Sequence, residues 1–406
     1  MAEMIANYLR RNMYVFYGSQ ILNGLRFIAP VWVLFFTHYI TFSQLAFLEA
    51  LGLFISVVLE LPTGVLADLI GRKNSIIFGY VVSGIGYMVI GFGHSFEAFL
   101  IGYTINSFGA SFASGADTAI LFDTLKEHDL VDDYGKYSGR TVFMYRLSVI
   151  VSMVIGQYLY AVFIGLPYVA CGLGIVASGL VYVFAREPSR EREHITPELY
   201  FKRIGLGFQE AFKNTATRYL SLYFITIASV ELMLLWFYYA PYLSWLGYTD
   251  HNIGIIYAAI AAGRMFVTLA SQKLDKLLGD KNVLYLLPLI LGLSLLMGFV
   301  RNIYIGTAFL FIHYALFTLR YTVLNKYTNV RFNSKYRASA ISSLNMFVSL
   351  VYATVVLGLG KVITLDNVGI ILTIFGGVLL FVTLPLGVMF VNSRATGSKT
   401  ARAVVA

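Results

Sequence analysis

Twelve apolar stretches follow one another along this chain, and they leave almost no sequence from which a water-soluble core could be built. They lie near residues 14–37, 43–67, 75–92, 96–122, 141–163, 167–185, 220–246, 253–270, 283–300, 303–324, 339–362 and 368–391. A helix needs about 20 predominantly apolar residues to cross hydrocarbon. Lipid offers no hydrogen-bond partners, so backbone in it must close its own bonds, and helices do so. The chain is 58% hydrophobic and only 13% charged, whereas a soluble domain carries about 25% charged residues. The first stretch is too long for the apolar region of a cleaved signal peptide, contains Asn23 and Arg26, and has no small-residue cleavage site before the next. The expected fold class is therefore an all-α membrane protein with 12 transmembrane helices.

Charge tests that count independently. If each stretch crosses once, Lys and Arg should gather on alternate loops, and 24 of the 30 do so, Arg10, Arg11, Arg394, Lys399 and Arg402 at the two ends included. Both termini are thus expected in the cytoplasm, with the protein multi-pass in the cell membrane and the bilayer as its standing partner. The formal charge of +9 then reports retained loops. Nucleic-acid binding is not expected, since no basic stripe with interleaved aromatics sits on a polar segment. Cys171 has no second cysteine with which to form an internal disulfide.

The longest polar stretch, 186–218, divides the spans six and six. The expected organisation is an amino-terminal six-helix bundle over 1–185, a linker over 186–218, a second bundle over 219–391 and a tail over 392–406. Within the linker, Thr196 before Pro197 reads as a helix cap with proline at the first helical position. Ile204, Phe208 and Phe212 recur every four residues beyond it, as in a surface helix lying along the bilayer or offering a platform to a partner.

Between the second and third stretches stands Gly64-Val65-Leu66-Ala67-Asp68-Leu69-Ile70-Gly71-Arg72-Lys73. Glycine, three residues, aspartate, two residues, glycine, arginine and a further base, at this place in a six-plus-six arrangement, resembles the hallmark loop of the major facilitator superfamily of secondary transporters. The resemblance covers essentially the whole chain. Glu60-Leu61-Pro62-Thr63 and Ser114-Gly115-Ala116-Asp117 with Asp123 resemble a prokaryotic efflux-permease branch. A degraded copy of the loop at 271–281 fits a fold of two related halves. The resemblance implies two pseudo-symmetric six-helix bundles that rock about a central cavity. It also implies a conformational gate at Gly64, Asp68, Gly71, Arg72, Lys73, Asp123 and Arg337. In that gate Asp68 would meet the start of the eleventh helix or Arg337, and Arg72 would reach Asp123; alternatively the same contacts only cap helices.

Ionisable residues within the spans form the second candidate set, because each costs at least about 2.5 kcal/mol at the bilayer centre unless paired or wetted. Ser19, Asn23, Arg26 and Pro30 fall on one helical face, as do Asn106, Ala110, Ala113 and Asp117. Matching depth pairs Asp117 with Arg146, with Glu60 as a competitor. Arg26 and Glu231, both near mid-span in the first and seventh helices, are the candidates for substrate or proton coupling, or for a salt bridge that orders two helices. Asn23, Arg264, His313 and Arg320 complete the candidate cavity, His313 either as a relay or as a hydrogen-bonded helix residue. Trp236, Phe237, Tyr238, Tyr239 and Tyr242 form an aromatic run suited to an interface belt, to packing or to an external gate.

No nucleophile elbow, phosphate-binding loop or metal-ligand spacing appears, so neither an enzyme nor a cofactor is expected. The sequence reads as an alternating-access carrier for a small-molecule substrate, coupled to a proton or another ion, and monomeric. Proton-coupled export of small, partly hydrophobic organic compounds leads. Uptake symport of an organic anion is the alternative, and a non-transporting sensor or scaffold a third. The family's antiporter signature expects a glycine-proline run in the fifth helix, where Val154-Ile155-Gly156-Gln157-Tyr158 has no proline.

Overall fold

In the computed structural model the described residues are 2–114, 116–188, 197–278, 280–333, 336–364 and 367–403, and among them there are helices and no strands. The chain forms two compact units, Met1–Ile195 with Asp250–Ala258, and Thr196–Thr249 with Ala259–Ala406. The first holds α1 (Ala2–Asn23), α2 (Trp32–Tyr39), α3 (Phe42–Ile70), α4 (Arg72–Phe92), α5 (Phe96–Ala113), α6 (Ala116–Lys126), α7 (Tyr134–Val162) and α8 (Leu166–Val181). The second holds α9 (Pro197–Phe212), α10 (Thr215–Met233), α11 (Tyr239–Trp245), most of α12 (Asp250–Leu278), α13 (Asp280–Leu296), α14 (Ile303–Arg331), α15 (Arg337–Leu359), α16 (Val368–Val378) and α17 (Leu384–Ala403). The start of α12 joins the first unit, where the Gly254 N–H donates to the Gln157 side chain at 3.1 Å. Among the described residues seven helices are long and apolar enough to cross a bilayer, with three shorter apolar helices beside them.

The first expected span is not one helix. It splits into α1 and α2, with 24–31 in turns. Pro30 has no N–H to give the Arg26 carbonyl four residues back, and that carbonyl accepts from Ala29 at 3.0 Å instead. The expected face of Ser19, Asn23, Arg26 and Pro30 therefore ends at Asn23, and Arg26 stands in the break. The fourth span divides likewise: α5 closes with the Ser114 N–H on the Ala110 carbonyl at 3.0 Å, and α6 restarts at Ala116. In the seventh and twelfth, single π-helical turns at Leu234–Tyr238 and Leu379–Thr383 interrupt the run. Such turns are enriched at functional sites.

Within each unit, glycines allow the helices to pack with their backbones in near contact, as association in lipid favours. A Cβ on Gly84 of α4 would lie 2.5 Å from the Gly172 carbonyl oxygen of α8. The second unit repeats the device, since a Cβ on Gly376 of α16 would lie 2.8 Å from the Gly292 carbonyl oxygen of α13. Over-packing costs about 1–3 kcal/mol. Gly84→Val and Gly376→Val are each expected to lower the melting temperature of the detergent-purified protein. Gly358→Ala, with nothing within 4 Å of its Cβ, should leave it unchanged.

The apolar face of α9 meets protein. Phe208 and Phe212 flank Phe347 of α15 at 5.3 and 6.5 Å between ring centroids, and the Ser343 hydroxyl donates to the Ile204 carbonyl. Gly207 brings the two backbones together, because a Cβ there would sit 2.4 Å from the Ser339 carbonyl oxygen. Glu210 fastens the helix end by accepting from the Asn333 N–H at 2.6 Å and from Lys213. Burial pushes its carboxyl up, but these two hydrogen bonds outweigh burial and hold it below the ordinary carboxylate range.

Candidate functional site

In the first unit a cavity of 240 Å³ opens where the two broken spans face each other. Arg26 and Asn23 reach it from the first break, Asp117 from the second, and Tyr80, Tyr87 and Asn106 from α4 and α5. The broken segment is held by α7. The Ser148 hydroxyl donates to the Ile21 carbonyl at 2.6 Å and the Ser152 hydroxyl to the Gly24 carbonyl at 3.3 Å. Side-chain hydroxyls thereby satisfy carbonyls at the break, which is how irregular backbone persists at membrane depth. The Phe27 carbonyl lies directly against Gly156, where an added Cβ would be only 2.0 Å away. Gly156 belongs to the stretch that departs from the antiporter signature, and its lack of a side chain makes room for the break.

Arg26 donates to the Asn23 side-chain oxygen at 2.7 Å and lies 3.4 Å from the Tyr87 hydroxyl. Asp117 accepts from Gln20 at 3.3 Å and from the Thr118 N–H at 2.7 Å, with the Tyr80 hydroxyl alongside. Arg146, expected opposite Asp117, is not among these described partners. Depth sets height along a helix, while the break before α6 resets the azimuth. The Glu60 side chain lies outside the described residues.

The second unit carries a buried charge cluster. Glu231 of α10, with 5% of its side chain exposed, pairs with Arg320 of α14, itself 4% exposed, and with Arg264 of α12 at 3.6 Å. The π-helical turn begins three residues after Glu231. Aromatic faces flank both cations, Tyr314 beneath Arg264 at 5.9 Å and Phe224 beneath Arg320 at 5.8 Å, an arrangement that is itself attractive. Within its own unit Arg26 has Asn23 and Tyr87 as polar neighbours, and within its own unit Glu231 has Arg320 and Arg264. His313 is wholly buried, with Nδ1 3.2 Å from the Phe309 carbonyl and Nε2 3.1 Å from the Ser294 hydroxyl. The Ser294 contact links α14 to α13. In the aromatic run Trp236 is 49% exposed while Tyr238, Tyr239 and Tyr242 are buried.

At the candidate gate, Gly71 turns α3 directly into α4 with φ +94°, a conformation that favours glycine. Arg72 forms an ion pair with Asp123, and the Lys73 ammonium donates to the Val183 and Ala185 carbonyls at the end of the sixth span. Sequence reasoning missed Glu187. Its two carboxylate oxygens accept from the backbone N–H groups of Arg72 and Lys73, both at 2.8 Å, and cap α4. The signal was an acid two residues beyond the sixth span, opposite a helix start that favours negative charge. Arg337 is the first residue of α15; the side chain of Asp68 and the surroundings of Gly64 lie outside the described residues.

The family model described as Major Facilitator Superfamily matches residues 15–353. The chain belongs to the major facilitator superfamily. It is 23% identical over 391 residues to the uncharacterized MFS-type transporter YxaM of Bacillus subtilis (strain 168), covering 91% of this chain and 92% of that protein. A second relative, an uncharacterized transporter of Buchnera aphidicola subsp. Schizaphis graminum (strain Sg), is 25% identical over 159 residues, 38% of this chain and 39% of that protein. Among solved structures the fold is similar to a D-xylose-proton symporter, with TM-score 0.74, 14% identity and coverage of 93% and 97% of the two chains. It is also similar to the nucleoside transporter NupG, with TM-score 0.72, 14% identity and coverage of 95% and 99%. Membership of this superfamily makes the protein a multi-pass membrane transporter and not an enzyme.

Proposed function

We propose that this member of the superfamily exports small, partly hydrophobic organic compounds by alternating access, in exchange for protons. The observation that carries the reading is Glu231, a carboxylate buried against Arg320 and Arg264 beside the π-helical turn of α10. A membrane-buried acid with two guanidiniums is a place where one proton changes the charge balance from one excess positive charge to two. An ionisable group at that depth needs a reason to be retained. The Arg72–Asp123 latch and the Glu187 cap hold the start of α4, and on this reading the turn between α3 and α4 takes part in the gate as the halves rock. The reading places the protein in the cell membrane as a monomer, with both termini in the cytoplasm.

A second reading, uptake symport of an organic anion, is favoured by the surplus guanidinium of the same cluster. One experiment separates them. Purified protein in proteoliposomes, with an imposed pH gradient and a broad panel of metabolites and drugs, should show solute-dependent proton movement. Proton movement opposite to solute supports export by exchange, and movement with solute supports the second reading. Solute flux indifferent to the gradient would remove proton coupling from both.

A further inference from the structure

The two cavity charges of the first unit are of opposite sign, and among the described residues neither has an ionic partner. The polar neighbours of Arg26 are Asn23, Tyr87 and Tyr145, all neutral. Those of Asp117 are Gln20, the Thr118 N–H and Tyr80, neutral again. Both groups line the same 240 Å³ space, yet among the described residues no salt bridge joins them. Elsewhere this protein does pair its buried charges, as Glu231 with Arg320 and Arg264 shows. An uncompensated charge in a lipid-embedded unit is costly, and here two of opposite sign line one cavity.

We propose that this cavity binds the doubly charged end of a small amphoteric molecule, its carboxylate or other acid group on Arg26 and its ammonium on Asp117. A purely anionic solute would bring its charge up to Asp117, and a purely cationic one would bring it up to Arg26, so each is refused by the residue that does not match it. The size agrees. At about 30 Å³ for each water, 240 Å³ has room for roughly eight waters, enough to admit an amino-acid-like headgroup with a short body. Ala110, Ala113 and Ile175 supply the apolar part of the lining. Arginine matches a carboxylate through two parallel N–H donors. The inference names the substrate class of the carrier proposed above and rests on that reading for transport, but not for binding.

The test is a binding and thermal-shift panel on the purified full-length protein with the twenty standard amino acids and taurine. Each binder is accompanied by its amide, which lacks the acid, and its N-acetyl form, which lacks the amine. At least one amphoteric compound should stabilise the protein, and blocking either charge should weaken binding tenfold or more. In Arg26→Gln the penalty for blocking the acid should vanish while that for blocking the amine persists, and Asp117→Asn should show the reverse. Arg26→Lys and Asp117→Glu, which keep the charges, should keep both penalties and report on folding. Singly charged forms binding as well as their parents, or a panel in which no amphoteric compound binds, would overturn the proposal. Proton-coupled flux carried only by singly charged or neutral solutes would leave the carrier standing and sink this inference. Amphoteric binding without any flux would do the opposite.

Discussion

Glu231→Gln is expected to abolish coupling between solute movement and the proton gradient while leaving solute exchange without a gradient measurable. Glutamine preserves the shape of the side chain and one acceptor oxygen but cannot take up or release a proton. Among the described residues the carboxylate is also the anion that both guanidiniums share, and the substitution leaves Arg320 and Arg264 without it, with aromatic rings beneath them. Removing one partner from a buried ion pair typically costs about 3–5 kcal/mol. The variant should therefore melt at a lower temperature than the parent, and added small anions should recover part of the loss by occupying the vacated place. Arg264→Gln, which removes the more distant partner at 3.6 Å, should cost less and retain coupling. Proteoliposome flux with and without a pH gradient reads the first effect and thermal melting the second. Wild-type proton-to-solute coupling in Glu231→Gln would take this carboxylate out of the mechanism.

The all-helical fold and the motif at Gly64 to Lys73 were legible in the sequence because composition and spacing record them directly. The internal geometry was less so. Hydropathy averages over a window and does not see hydrogen bonds, so the first span read as one helix although Pro30, which removes a donor at its break, was in view. Asn23 with Arg26 and Asn106 with Asp117 were visible as polar residues within the first and fourth spans, and the structure brings these four to one cavity. Their partners were not legible, because a break rotates everything after it and depth alone does not set the azimuth of Asp117. Glu231, Arg264 and Arg320 were each visible as intramembrane charges. That they form one cluster depends on the rotation of three helices about their axes, which no spacing within a single helix encodes.

Gly156→Ala is expected to disable the cavity of the first unit through a residue that lines none of it. An ideal Cβ at this position falls 2.0 Å from the Phe27 carbonyl oxygen, 2.8 Å from its carbonyl carbon and 2.9 Å from its Cα. All three are backbone atoms, so no rotamer change relieves the overlap; either α7 withdraws or the broken segment shifts by about an ångström to reach ordinary contact. The segment is pinned on both sides of Phe27. Ser148 and Ser152 hold the Ile21 and Gly24 carbonyls before it, and the turn bonds to Arg26 and Ile28 follow. The displacement therefore passes to Arg26, the adjacent residue, whose guanidinium must keep a defined place opposite Asp117. A misplacement of 1 Å at a preorganised site can cost about 10²-fold, and solute binding should fall by at least tenfold, with a thermal destabilisation of about 1–3 kcal/mol. Gly135→Ala and Gly139→Ala are the matched controls in the same helix, since nothing lies within 4 Å of a Cβ at either position; both should bind solute as the parent does. If Gly156→Ala also binds solute at parental affinity, α7 does not position the break, and the placement of Arg26 must come from its own contacts with Asn23 and Tyr87.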